Sequence, residues 1–217
     1  MDMEKLDLGK LYKSYYTAKA KPQLIAFETA HYASITGQGD PDGETFARAT
    51  EALYTVSYGV KGLCKGKEQD FTVPKLEGLW WVDGDPRQAL EVPRAEWRWK
   101  LLIRMPAYVT IEQVEEARQQ AMKKKKELVE LGDVRFEELH EGQCVQMLHV
   151  GPYATEPETL RQMEDFIHAE GWAYAGLHHE IYLSDSRRVE PAKMKTILRH
   201  PVTRREKAEV ENGGLLK

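Results

Sequence analysis

The sequence predicts an α+β protein made of tandem β-α-β-β repeats related by a pseudo-twofold axis, with antiparallel sheets, helices on one face and a central ligand cleft. Three observations predict it. The segments HYASITGQGDPDGETFARATEALYTV and CVQMLHVGPYATEPETLRQMEDFIHAEG both read as strand, turn and helix. Gly37 falls on Gly151, Glu44 and Thr45 on Glu158 and Thr159, and Phe46, Ala49 and Leu53 on Leu160, Met163 and Ile167, the apolar stripe of each helix. Two further strand-like runs follow each helix: LEGLWWVD and EWRWKLLIRMP in the first half, HHEIYLSD and AKMKTILRHPV in the second. Setting Asp83 on Asp185 aligns Trp80 with Tyr182 and Leu79 with Ile181, and KLLIRMP then lies near KTILRHP.

The elements follow in order within one domain spanning 1–217. Repeat one covers about 22–108 and repeat two about 135–203. Between them a connecting helix is predicted over about 110–131: Thr110 caps it with Gln113 three residues on, Ile111, Val114, Ala117, Ala121 and Leu128 form its stripe, and Gly132 ends it. The second repeat's helix opens on Thr155-Glu-Pro-Glu158, which has the form of a capping box with proline in the first turn. The polar tail 204–217 is expected to fray.

Composition narrows the function. Of 217 residues, 41% are hydrophobic, enough for a core, and the formal net charge of -4 gives no general pull toward nucleic acid or an anionic membrane. The lysine run 123–126 is bracketed by glutamates and reads as a solvated helix face. Cys64 and Cys144 form no CxxC pair and have no ligand spacing, so reduced thiols in a cytoplasmic protein are expected. The N-terminal MDMEKLDLGKLYKSYY mixes charge into each apolar run, unlike a signal peptide, and no membrane-spanning stretch occurs. His149, His178 and His179 are the histidines to weigh for a metal or haem. Adjacent His178 and His179 point to opposite faces of a strand, and HHEIY is not HExxH. No metal and no cofactor are expected.

Strand parity picks out the candidate site. Glu180 and Tyr182 share a face, with His178, and the alignment adds Trp80. That face is expected to be helix-free, while Leu79, Trp81, Ile181 and Leu183 lie under the helices. Trp97, Trp99, Leu101 and Ile103 form an apolar face that meets either the helices or the cleft. Four of the five tryptophans gather in these two runs, which favours an aromatic ligand cleft around Glu180. A carboxylate deprived of water there becomes a better general base unless a cation holds its charge.

These residues resemble the GyrI-like small-molecule-binding superfamily. The resemblance rests on Gly-Pro-Tyr at 151–153 before a helix, Glu-Ile-Tyr-Leu-Ser-Asp at 180–185, the turn RRVEPAK and Pro-Val at 201–202, and it spans about 22–203. YASITGQGDPDG, VPKLEGLWW and WRWKLLIRMP look more like its stand-alone members, which lack the DNA-binding domain of the superfamily's transcriptional activators. With only about twenty residues before the first strand, that domain is not expected.

The resemblance implies a central cleft with an aromatic cage around one buried glutamate, which Glu180 matches. It also implies either binding of lipophilic cations or, as in some stand-alone members, hydrolysis of cyclopropanoid DNA-alkylating compounds. On the second reading Glu180 is the base for an attacking water, Tyr182 and Tyr153 donate toward the developing oxyanion, Trp80 and Trp99 stack on the flat substrate with Trp97, and His178 makes a polar contact. Expected partners are hydrophobic or cationic small molecules, with neither nucleic acid nor membrane. The alternatives are a non-catalytic multidrug-binding or sequestering protein and, further off, a gyrase-inhibitor-like interaction module.

Overall fold

The computed structural model describes residues 5–84, 91–185 and 187–205. The first half contains β1 (Leu6–Asp7), α1 (Leu8–Leu11), β2 (Gln23–Phe27), β3 (Ala30–Gln38), α2 (Glu44–Lys65), β4 (Phe71–Thr72), β5 (Leu76–Trp81) and β6 (Arg98–Met105). Then come α3 (Ile111–Lys124), β7 (Arg135–Leu139), β8 (Gly142–Val150), α4 (Glu156–Ala169), β9 (Trp172–Tyr174), β10 (His178–Tyr182) and β11 (Lys195–Arg204).

The two halves share one continuous sheet rather than meeting as two. Its order is β2-β8-β11-β10-β5-β6-β3-β7, with β9 on the end of β11 and every pair antiparallel. The pseudo-twofold axis runs between β10 and β5. On either side stand the last strand of one repeat, then its long first strand, then a short edge strand contributed by the other half. That exchange of β2 and β7 ties the halves together, because each edge strand pairs across the axis from its own successor. Ala30–Gln38 equates with Gly142–Val150, and Gly39 with Gly151, each at positive φ where the strand turns toward its helix. The expected match of Gly37 to Gly151 is therefore two residues out, an even slip that leaves every side chain on the same face.

Both sheet faces are covered, by different parts of the chain. On one, α2 lays Ala49, Ala52, Leu53, Val56 and Val60 on Ile35, Trp99, Leu101 and Ile103, and α3 packs on α2 with Val114, Ala117 and Ala121. Met163 and Ile167 of α4 cover Val145, Met147 and Leu198 on the same face. Each such leucine or isoleucine contributes roughly 1.5–3 kcal/mol on full burial. The opposite face is roofed by the N-terminal segment: Leu8, Tyr15 and Tyr16 pack on Phe27, Cys144, Ile181 and Ile197.

Four local expectations need correction. Glu180, Tyr182 and Trp80 do share a face, but it is the helix-bearing one, and Leu79 and Ile181 lie on the N-terminal side. Parity gives relative orientation only, and the aromatic N-terminal strap supplies the second cover. The connecting helix ends at Lys124, where Lys125 leaves helical geometry, and Leu128 and Leu131 fill the core from the following turn. Its Thr110–Gln113 capping box is present. At α4 no such box forms: the Thr155 hydroxyl donates to the Pro152 carbonyl instead, while Glu158 holds Arg161. Finally, β11 runs to Arg204 by pairing with β9, so 203–204 are strand; the expected fraying from 206 onward lies outside the described residues.

Candidate functional site

At the axis, Glu180 stands opposite Gly78 on β5 and Leu198 on β11, and His178 stands opposite Trp80. These side chains project into the gap between α2, which covers one half of the sheet, and α4, which covers the other. Gly78 leaves the room they need, since a Cβ there would come within 2.9 Å of both Trp80 Nε1 and the Tyr182 hydroxyl. Trp80 Nε1 donates to the Tyr182 oxygen at 2.9 Å, and the Tyr182 hydroxyl in turn hydrogen-bonds Glu180. Burial first, then the Glu180 charge, push the Tyr182 phenol well above its ordinary value, so it remains protonated.

Histidines hold the other side of the carboxylate. His178 Nε2 lies 3.1 Å from Glu180 Oε1, and its Nδ1 is 3.1 Å from His200 Nε2. His200 is kept neutral chiefly by burial, and its Nδ1 is buried without a partner. A proton on His200 Nε2 leaves only a lone pair unpaired, so His200 donates to His178 and His178 donates to Glu180.

A residue missed in the sequence completes the group. Glu156 is the first residue of α4, 7% exposed, and lies against Glu180 in hydrogen-bonding reach. Burial, then the charge and hydrogen bond of Glu180, push its carboxyl up to about 9, so the two acids hold one proton between them. Glu156 Oε1 has no hydrogen-bond partner. In the sequence Glu156 looks like an ordinary first-turn acid; the available signal was proline at the next position, which fixes the helix start and so aims Glu156 along the strand-to-helix turn.

The aromatics divide. Trp80 stacks on Phe46 at 5.8 Å and meets Trp97 edge-on at 6.2 Å. Trp97 lies just outside β6, with Nε1 bound to the Val92 carbonyl and Arg94 over its ring. Tyr153, in a short turn before α4, faces Tyr182 edge-on at 6.1 Å and is 43% exposed. Trp99 is 1% exposed beneath Phe46, with Nε1 on the Gly39 carbonyl. It therefore offers no face for stacking and corrects the stacking role expected for it: the face of Trp99, Leu101 and Ile103 meets α2 and backs the site. The structure thus brings together Glu180, Tyr182, Tyr153, Trp80, Trp97 and His178, and leaves Trp99 behind them. His149 is bound to Thr159 and to the Pro152 carbonyl, and His179 points to the opposite face. Among the described residues, no group of three or more histidine, cysteine, aspartate or glutamate side chains is placed to hold a metal ion, and no helix is long and apolar enough to cross a membrane.

Chemically, the arrangement is a partly desolvated carboxylate with donors on two sides, a neutral acid beside it and aromatic rings around it. It suits a positively charged or electron-poor flat ligand, or proton transfer to and from one.

The chain is similar in sequence and fold to proteins already known. The chain matches the GyrI-like small molecule binding domain over residues 20–202. It is 40% identical to an uncharacterized conserved protein from Listeria innocua, with 92% of this chain and 100% of that one covered and a TM-score of 0.84. A hydrolase from Listeria innocua is 39% identical over the same shares, with a TM-score of 0.80. The EcmrR C-terminal domain shares the fold at 12% identity, with a TM-score of 0.59 over 85% of this chain and 98% of that one. No curated protein matches. The chain belongs to the GyrI-like small-molecule-binding domain family.

Proposed function

We propose that the chain binds flat hydrophobic or cationic small molecules between α2 and α4 and hydrolyses cyclopropanoid, DNA-alkylating compounds there, as a detoxifying enzyme. The observation that carries this reading is the carboxyl pair: Glu180 held by Tyr182 and His178, with Glu156 beside it carrying a proton at neutral pH. The 39% identical hydrolase supports it.

Glu180 takes a proton from a water as its oxygen bonds to the electrophilic cyclopropyl carbon. The strained carbon–carbon bond breaks, and its electron pair passes into the conjugated dienone, whose oxygen becomes a phenol on gaining a proton. Tyr153 and Tyr182 are the donors near that oxygen, and neutral Glu156 is a third source. The proton on Glu180 then returns to solvent or to Glu156, so the net reaction adds one water. Trp80 and Trp97 hold the flat substrate, worth roughly 0.5–1.5 kcal/mol for each good ring contact.

A second reading is favoured by the unpartnered Glu156 Oε1: the pair binds a lipophilic cation, which displaces the shared proton without chemistry. Incubation with a cyclopropanoid decides between them. The hydrolase reading expects a product heavier by one water, absent with Glu180→Gln although tryptophan fluorescence still reports binding. Binding without product in the wild-type protein supports the cation binder, and undiminished product with Glu180→Gln removes Glu180 from the chemistry.

A further inference from the structure

The sheet face under the N-terminal strap carries a second polar group, distinct from the Glu180 site. Glu77 accepts from Tyr15 at 2.5 Å, Tyr16 at 3.4 Å and His179 at 3.0 Å. Glu141 binds His179 Nδ1 at 2.8 Å and Arg199 at 2.8 Å, and Arg199 is completed by Gln146 and the Tyr15 carbonyl. These charges satisfy one another.

Arg104 does not share in this. It is 7% exposed and stacked on the rings of Tyr12, at 3.8 Å, and Tyr15, at 4.5 Å. Among the described residues its guanidinium has no hydrogen-bonded acceptor and no ion pair. None of its nitrogens is among the fully buried groups left without a partner, so the guanidinium meets solvent at the cavity rather than a protein acceptor. Glu77 and Glu141 are taken by His179 and Arg199, and the Glu137 carboxylate, level with Arg104 across β3, is taken by Lys100, so Arg104 is the cation left over. Arg104 also lines a cavity of about 50 Å³, together with Tyr12, Thr29, Ala30, His31, Met105 and Ala107.

The internal repeat explains what is missing. On this face the last strand of the second half carries Arg199, and that of the first half carries Arg98, paired with Asp83, and Arg104; KLLIRMP against KTILRHP sets Arg104 on Arg199. In the strand pairing the two differ by one alternate position, Arg104 facing Tyr32 and Arg199 facing Gln146. Each half also has a two-residue link before its long first strand: His140-Glu141 in one, Glu28-Thr29 in the other. Glu141 supplies the carboxylate for Arg199, whereas Thr29 stands in its place beside the Arg104 cavity, its hydroxyl bound to His140, and Glu28 is exposed.

We propose that this cavity binds a small carboxylate anion of formate or acetate size, seated on Arg104 as Glu141 is seated on Arg199. The volume admits a few waters' worth of atoms, which sets the size class. A planar carboxylate matches the guanidinium fork, so the contact is bidentate.

The test is titration of the full chain with ¹³C-labelled formate and acetate, followed by NMR line broadening, on the wild-type protein and on Arg104→Met, Arg104→Lys and Thr29→Glu. Saturable binding in the wild type, lost in Arg104→Met and at least tenfold weaker in Arg104→Lys, supports the site. Should Arg104→Met not fold, the lysine variant carries the comparison. Thr29→Glu fills the cavity with the chain's own carboxylate and is expected to weaken formate binding at least tenfold. Glu180→Gln is expected to bind formate like the wild type, which separates this result from the proposed hydrolysis. Waters only, seen as no saturation in the wild type, or binding as tight as the wild type's in both Arg104 variants, overturns the proposal.

Discussion

Replacing Glu156 by Gln tests the shared proton on which the site's electrostatics rest. The Glu156 carboxyl is raised from an ordinary 4.5 to about 9, chiefly by burial and then by Glu180. Because the folded value lies above the unfolded one, the native state keeps a proton that the unfolded chain releases. Its contribution to stability is complete below the unfolded value and is lost as pH rises toward the folded one. The loss amounts to about 1.4 kcal/mol per pH unit, accumulating to roughly 3 kcal/mol at neutral pH. Glutamine keeps the shape and a donor toward Glu180 but has no proton to lose. Urea unfolding followed by tryptophan fluorescence, from about pH 5 to about pH 8, is expected to show the wild type weakening relative to Glu156→Gln as pH rises, the curves converging at the acid end. Parallel profiles across that range would refute the shared proton.

Three further perturbations probe the scaffold. In Glu141→Gln the buried Arg199 and His179 lose their carboxylate, which is expected to cost about 3–5 kcal/mol in urea unfolding. The pH range of that pair follows from its shifts. Burial alone would raise Glu141 and lower His179, but the ion pairs outweigh it, bringing Glu141 to about 2 and His179 to about 9. The Glu141 contribution fades as pH falls toward 2, and the His179 contribution as pH rises toward 9, so an acid-limb titration of unfolding in the wild type and in Glu141→Gln checks the first directly. Tyr15→Phe removes the hydroxyl joining Tyr32 and Glu77 and is expected to cost about 1–3 kcal/mol by the same assay. Gly78→Ala drives a methyl into Trp80 and Tyr182; a loss of about 1–3 kcal/mol and a changed tryptophan emission are expected.

Much of the fold was legible because the second repeat restates the first. Strand parity placed Glu180, Tyr182, His178 and Trp80 together without knowledge of the sheet order, since an even register slip preserves faces. Parity could not tell which face the helices take. That depended on Tyr12, Tyr15 and Tyr16 folding back as a strap, long-range contacts with no periodic signal in so short a segment. Edge strands β2 and β7 were overlooked for a similar reason: at five residues each, they are defined by pairing across the axis rather than by their own pattern. Trp99 read as a cleft aromatic because four of the five tryptophans gather in two runs, whereas here its indole N–H is satisfied by the Gly39 carbonyl inside the core. Glu156 was hidden because a first-turn glutamate is usually solvated, and its approach to Glu180 is a contact between α4 and β10 that no local pattern announces.

The most direct measurement is mass-resolved product formation from a cyclopropanoid substrate by wild-type protein and by Glu180→Gln, the latter shown to be folded. The account predicts a wild-type product heavier by one water, and none above background from Glu180→Gln. Equal product from both proteins would contradict it.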